Sequence, residues 1–310
     1  MNKPRRTFLT QLSVIAGATA LTRPFNAMAT VAKSVSSLHA SQSAVAVYHT
    51  NDLNGHINPV YKSMGGLGHI RSTLKNQETG GLLLDAGNFT RNSNKVENHR
   101  DVIGVMNSIG YHAAAIGANE LSMGQEELMT LIPLMQFSLV NCNLQFDNKL
   151  ADMIKPYVII RSGNFKIGIT GVCHKVEGIK YNDAAASAAK VARLLKLDEK
   201  CDLVVCLAQL GDGGNRKFAE QSEHIDMVIG GNDPKLCLNT QMLHNKLKHE
   251  IVLAQTAKNG LLFGRTIFNF DIEKNKNGVK AKHFIPGMPD DRESYATAFS
   301  ALRLAKDLPV

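Results

Sequence analysis

The strongest constraint on the fold is a rhythm in which short apolar runs, each ending in a polar or glycine-bearing turn, alternate with stretches of helical period. Residues 44–47 run into Tyr48-His49-Thr50-Asn51-Asp52-Leu53-Asn54-Gly55-His56, residues 81–84 into Asp85-Ala86-Gly87-Asn88, and residues 113–116 into Gly117-Ala118-Asn119-Glu120. The pattern returns at residues 203–209 and 225–231, while 102–109, 125–134 and 184–197 carry helical spacing. A continuously apolar run suits a strand covered on both faces. Strands of that kind alternating with helices build an α/β layered domain. Sites in open α/β sheets lie at strand ends, so the chemistry is expected in the turns.

The rest of the composition narrows the setting. With 310 residues, 44% hydrophobic and 20% charged, the chain can bury a sizeable core as one large domain or two small ones. Lys3, Arg5 and Arg6 precede the apolar residues 8–21, and Ala27-Met28-Ala29 offers small residues for cleavage, the pattern of a signal peptide. The start Arg5-Arg6-Thr7-Phe8-Leu9 resembles a twin-arginine signal, which implies export across the bacterial inner membrane to the periplasm. Removing Lys3, Arg5, Arg6 and Arg23 lowers the formal net charge from +8 to +4, no footprint of a nucleic-acid binder. No other apolar run approaches the roughly 18 residues of a membrane span. Cys142, Cys173, Cys201, Cys206 and Cys237 form no CxxC pair and read as buried thiols. The expected division is a signal at 1–29, a Ser- and Ala-rich leader at 30–43, a domain at 44–275 and a tail at 276–310.

The first turn resembles the opening signature of the calcineurin-like metallophosphoesterases in their 5'-nucleotidase branch, where a strand runs into Thr-Asn-Asp-x-His-Gly. The likeness continues through Ile154-Lys155-Pro156-Tyr157 to Gln255-Thr256-Ala257-Lys258-Asn259-Gly260. It implies a four-layer α/β sandwich: two mixed β-sheets packed together with helices outside. It also implies a two-metal phosphoester hydrolase, whose carboxylate and imidazole ligands come from several strand ends.

Position by position, those ligands are replaced. Asp-x-His is Asp52 and Asn54; Gly-Asp, whose carboxylate bridges the metals, is Gly87 and Asn88. Gly-Asn-His-Glu is Gly117-Ala118-Asn119-Glu120, so Asn119 stands where the resemblance puts the proton donor. Ser-His-Leu-Gly is Ala208-Gln209-Leu210-Gly211, and Gly-His-x-His is Gly231-Asn232-Asp233-Pro234. Of the implied ligand positions only Asp52 keeps its residue. The carboxamides are weak donors to a transition metal, and Asn119 has no titratable proton near neutral pH.

The expected protein is therefore an exported pseudophosphatase, with no cofactor, that binds a protein partner or a phosphorylated small molecule. The alternative is a hydrolase with a rearranged single-metal site (Mn, Zn or Fe) around Asp52 and Asp233, with His56 nearby and Asp212 and His112 as lesser candidates. His49 is expected to tie its loop to the backbone and Asp85 to hold backbone N–H groups. Gly65-Gly66-Leu67-Gly68 precedes a helix but lacks a P-loop ending, and residues 211–216 read as a flexible loop. Cys206, inside an apolar run, reads as inert, and no Gly-x-Ser-x-Gly elbow is present. Complete 5'-nucleotidases carry a further C-terminal domain with the nucleoside pocket, so nucleotide specificity is not implied.

Overall fold

A computed structural model describes residues 34–35, 43–61, 63–77, 80–93, 96–211, 213–232 and 240–288. The first half of the chain forms β1 (Ser34–Val35), β2 (Ala44–Thr50), α1 (Leu67–Lys75), β3 (Leu82–Asp85), α2 (Val96–Ile109), β4 (Ala113–Ala115), α3 (Ala118–Ser122), α4 (Gln125–Leu131) and β5 (Ser138–Val140). There follow β6 (Leu144–Gln145), α5 (Asn148–Met153), β7 (Tyr157–Ser162), β8 (Phe165–Cys173), β9 (Lys180–Tyr181), α6 (Ala184–Arg193), β10 (Leu203–Gln209) and α7 (Gly214–Gln221). The last strands are β11 (Met227–Gly230), β12 (Gln241–His244), β13 (Glu250–Gln255), β14 (Phe263–Phe270) and β15 (Lys276–Phe284).

Among the described residues a six-stranded sheet runs β15-β14-β2-β3-β4-β5 and a seven-stranded sheet runs β1-β7-β8-β10-β11-β13-β12. Both are mixed. β2, β3, β4 and β5 pair in parallel beside antiparallel β14 and β15, and β8, β10, β11 and β13 pair in parallel between antiparallel β7 and β12.

The period of two along each strand divides the core. Val45, Val47, Leu82 and Leu84 point between the sheets, where they meet Ile167, Ile169, Val205, Leu207 and Ile229 of the other sheet. Ala46, Tyr48 and Leu83 point outward, into a second layer with Ile70 of α1 and Met106 of α2. Val204, Cys206 and Val228 do the same on the far side, against Ala188 and Ala192 of α6 and Phe218 of α7. Each buried Val, Leu or Ile contributes about 1.5–3 kcal/mol, so a strand apolar on both faces holds two layers at once. The result is helix, sheet, sheet, helix, the four-layer sandwich.

Two stretches differ from the sequence reading. Residues 214–216, read as part of a flexible loop, open α7, with Asn215 buried and bonded to Leu210 and Gly231. The stretch from Lys276, read as tail, carries β15, and Phe284 and Ile285 beyond its lysines are buried. It reads as polar because β15 is a sheet edge whose middle residues, Lys280, Ala281 and Lys282, are all exposed. The glycines before α1 serve close backbone packing: a Cβ on Gly66 would lie 2.3 Å from the Asn58 carbonyl oxygen. The signal and leader residues 1–33 lie outside the described residues. Among the described residues, no helix is long and apolar enough to cross a membrane.

Candidate functional site

The parallel strands deliver their C-terminal ends to one edge of the sandwich, and the turns there are tightly wound. Asp52, Asn54, Asn88, Asn232 and Asn259 all have left-handed backbone, with φ of 49°, 49°, 55°, 58° and 61°. Asn and Asp tolerate that conformation better than other residues with a Cβ. The first two turns are laced together by backbone bonds: Asp52 N to Gly87 O at 3.0 Å, Asn54 N to Asn88 O at 2.9 Å and Gly55 N to Phe89 O at 2.9 Å. Asn259 N reaches the Asp52 carbonyl at 2.7 Å and brings in the segment after β13.

At the centre lies the Asp52 carboxylate, buried, with donors on both oxygens. Oδ1 accepts from Asn88 Nδ2 at 3.1 Å and Gln209 Nε2 at 3.2 Å; Oδ2 accepts from Asn51 Nδ2 at 2.9 Å and the Asn232 backbone N–H at 2.7 Å. Asn88 Nδ2 also donates to Gln209 Oε1 at 3.1 Å. Four donors, three of them carboxamides, thus surround one charge. Burial raises the Asp52 pKa, and its hydrogen bonds act in the opposite direction.

A second tier surrounds this one. Asn119 donates its backbone N–H to Asn88 Oδ1 at 3.0 Å, and its Nδ2 to Asn54 Oδ1 and the Thr90 carbonyl, both at 2.9 Å. Asn54 Nδ2 donates to Asn259 Oδ1 at 2.8 Å. Glu120, fully buried, accepts from the backbone N–H groups of Asn88, Thr90 and Gly117 and from the Thr90 hydroxyl. On the other sheet, His174 Nδ1 lies 2.8 Å from the Gln209 carbonyl and 3.4 Å from Asn232 Nδ2.

Asp52, Asn54, Asn88, Asn119, Gln209 and Asn232, spread over 181 positions of sequence, therefore meet in one network. Ala118 opens α3 and brings no polar side chain. Asp233, Pro234 and Asp212 lie outside the described residues, as does Cys237. His56 is half-buried, its pKa lowered by burial and by the Arg91 charge. His112 Nδ1 accepts from the Leu83 N–H at 3.1 Å, a structural use. Asp85 accepts from the Gly87 N–H at 2.8 Å and the Thr50 hydroxyl, and burial pushes its pKa up to about 8.

His49 differs from the reading that had it tie the loop to the backbone. It is fully buried with no hydrogen-bond partner for either ring nitrogen, its ring fills the space where a Cβ on Gly264 would go, and burial lowers its pKa to about 3. Cys206 is buried and its thiol pKa is raised well above the ordinary value by that burial. Among the described residues, no three His, Cys, Asp or Glu side chains gather to hold a metal ion.

Sequence reasoning missed Asn51, Asn259, His174 and the part played by Glu120. Asn51 shares its carboxamide between Asp52 and Thr256, and Asn259 braces Asn54 from the far end of the chain. The Asn-Gly pair at 259–260 was the available signal, since Asn before Gly marks a left-handed turn.

No family model matches the chain. Trifunctional nucleotide phosphoesterase protein YfkN of Bacillus subtilis is 22% identical over 275 aligned residues, which cover 73% of this chain and 18% of that protein. The 5'-nucleotidase of Bos taurus is 24% identical over 216 residues, 60% of this chain and 37% of that one. The chain thus spans well under half the length of these curated relatives. Among solved structures, a 5'-nucleotidase precursor from Thermus thermophilus superposes with a TM-score of 0.71 at 20% identity, over 85% of this chain and 60% of that one. Calcineurin-like phosphoesterase YfkN from Bacillus subtilis gives 0.64 at 18% identity, over 86% and 98%. The chain has the fold of the calcineurin-like phosphoesterases, and its homologues stand in their 5'-nucleotidase branch.

Proposed function

We propose that this is an exported phosphoesterase-fold protein that does not hydrolyse phosphoesters, and that it acts by binding a ligand or a protein partner through the cleft at the strand ends. The observation that carries the reading is the Asp52 carboxylate, whose two oxygens are taken by four N–H donors. A hydrolase of this fold needs two cations about 3.5 Å apart, bridged by an anion. At that separation two dications repel by about 19 kcal/mol even at an effective dielectric of 20. Here Asn88, in the bridging position, is neutral and turns an N–H donor toward Asp52. The donor set does not fit a binuclear centre.

Proton transfer fails independently, since Asn119 spends its carboxamide on Asn54 and Thr90. Export rests on the twin-arginine pattern of the first residues, and the periplasm is the compartment proposed. The names of the relatives, nucleotide phosphoesterase and 5'-nucleotidase, make a nucleotide or another phosphorylated small molecule the first ligand class to try.

The test is turnover of AMP and of a generic phosphodiester with added Mn²⁺ or Zn²⁺. The expected result is no rate above buffer for wild type or for Asp52→Ala. Turnover that Asp52→Ala abolishes would overturn the reading and point to a single-metal site that includes Asp233.

A further inference from the structure

The chain contains three Asn-Gly pairs, at Asn54-Gly55, Asn259-Gly260 and Asn277-Gly278. Such pairs are chemically labile. Glycine lacks the Cβ that would shield its nitrogen, and that nitrogen can attack the neighbouring carboxamide. The structure treats the three very differently.

The two cleft pairs are immobilised. Gly55 N is committed to Phe89 O at 2.9 Å, and the Asn54 carboxamide donates to the Asp52 carbonyl and Asn259 Oδ1 while accepting from Asn119. Asn259 is buried, its backbone held by Asp52 and Gly66, and the Gly260 Cα faces the Gly66 backbone so closely that a Cβ would lie 3.0 Å from its nitrogen. Asn277 has none of this. The register of the outer hairpin passes from Asn269 opposite Gly278 to Phe270 opposite Lys276, so Asn277 is the extra residue of a β-bulge. A bulged residue is left out of the ladder. It sits on edge strand β15, exposed, and its carboxamide has no hydrogen-bond partner among the described residues.

We propose that Asn277 is a self-modification site that deamidates through a cyclic imide while the fold protects Asn54 and Asn259. The Gly278 nitrogen forms a bond to Asn277 Cγ, the Cγ–Nδ2 bond breaks, and ammonia leaves with the proton from the Gly278 amide. Water then opens the imide at either carbonyl, giving an aspartyl or isoaspartyl residue. Either product places a carboxylate between Lys276 and Lys280. The extra backbone methylene of the isoaspartyl form falls where the ladder already skips a residue, so strand pairing survives. The charge of this lysine-bearing edge therefore declines as the molecule ages.

The experiment is incubation of the folded full chain in mildly alkaline buffer, followed by peptide mapping with enzymatic labelling of isoaspartate. Isoaspartate is expected at Asn277, and more slowly by about tenfold or more at Asn54 and Asn259, whose opening breaks several hydrogen bonds. In guanidinium chloride the three sites should converge in rate. Gly278→Ala should slow the reaction at Asn277 without unfolding the hairpin, because its Cβ would meet nothing nearer than 3.5 Å. Native-state modification of Asn54 or Asn259 as fast as Asn277, or an undiminished rate in Gly278→Ala, would overturn the proposal.

Discussion

Removing the Asp52 carboxylate strands four N–H donors inside the protein, and each buried donor left unpaired costs about 1–3 kcal/mol. After relaxation Asp52→Ala should lose about 3 kcal/mol in urea unfolding at neutral pH, in metal-free buffer. Asp52→Asn, which turns one NH₂ toward the donors, should lose roughly half of that. A carboxylate kept only to hold metal would behave oppositely, since removing an uncompensated buried charge stabilises the fold. The pH dependence belongs to this scale as well. His49 has a pKa of about 3 in the folded chain against an ordinary 6.5. Between those values the unfolded chain binds a proton that the native state refuses, so this contribution is complete above pH 6.5 and is lost as pH falls toward 3. Asp85 has the reverse sign: it keeps its proton up to about pH 8 against an ordinary 3.8, so its contribution is lost as pH rises through that window. Stability measured against pH for His49→Leu should lack the acid-side loss, and for Asp85→Asn the alkaline-side loss, each with a slope of at most about 1.4 kcal/mol per pH unit. Curves that match wild type in both variants would contradict these assignments.

At the scale of elements, the two sheets come into close backbone contact where β8 passes β5. A Cβ on Gly171 would lie 2.4 Å from the Val140 carbonyl oxygen, and backbone cannot step aside as a side chain can. Gly171→Ala should force the sheets apart locally and cost about 3 kcal/mol, the upper part of the usual range for overpacking; a neutral result in thermal unfolding would mean that the sheets are not in contact there. Nothing in the sequence singled out Gly171, because its role depends on a strand 31 positions away. The strands themselves were legible. Apolar runs such as Leu203-Val204-Val205-Cys206-Leu207 have one explanation when both faces are covered. Edge strands were not: β12 and β15 are largely exposed or half-covered, and Lys280, Ala281 and Lys282, all exposed, carry too little apolar signal to separate a solvated strand from a tail. The convergence of the strand-end turns could be inferred from the α/β topology. The residues that brace them from outside the ligand positions could not. Asn51 bonds Thr256 and Asn259 bonds Asn54, each pair 205 positions apart in sequence, and neither Asn51 nor Asn259 is itself a ligand position.

Across the whole molecule, the strand-end network takes the place of a cross-link. Metals at this edge would tie the turns of both sheets together, and here Asp52, Asn88 and Gln209 do so directly by hydrogen bonds across the gap between the sheets. Left-handed Asn residues at the corners let the loops keep that path without strain that a β-branched residue would impose. A sandwich held in this way should unfold at the same temperature with and without a chelator. The most direct measurement of the central claim is metal content: the chain from Thr30 to Val310, purified without chelator and dialysed against Mn²⁺ and Zn²⁺, is assayed for bound metal by inductively coupled plasma mass spectrometry. The network predicts well under one metal per chain. Two tightly held metals per chain would contradict it, because Asn88 and Asp52 would then have to turn away from each other to face cations.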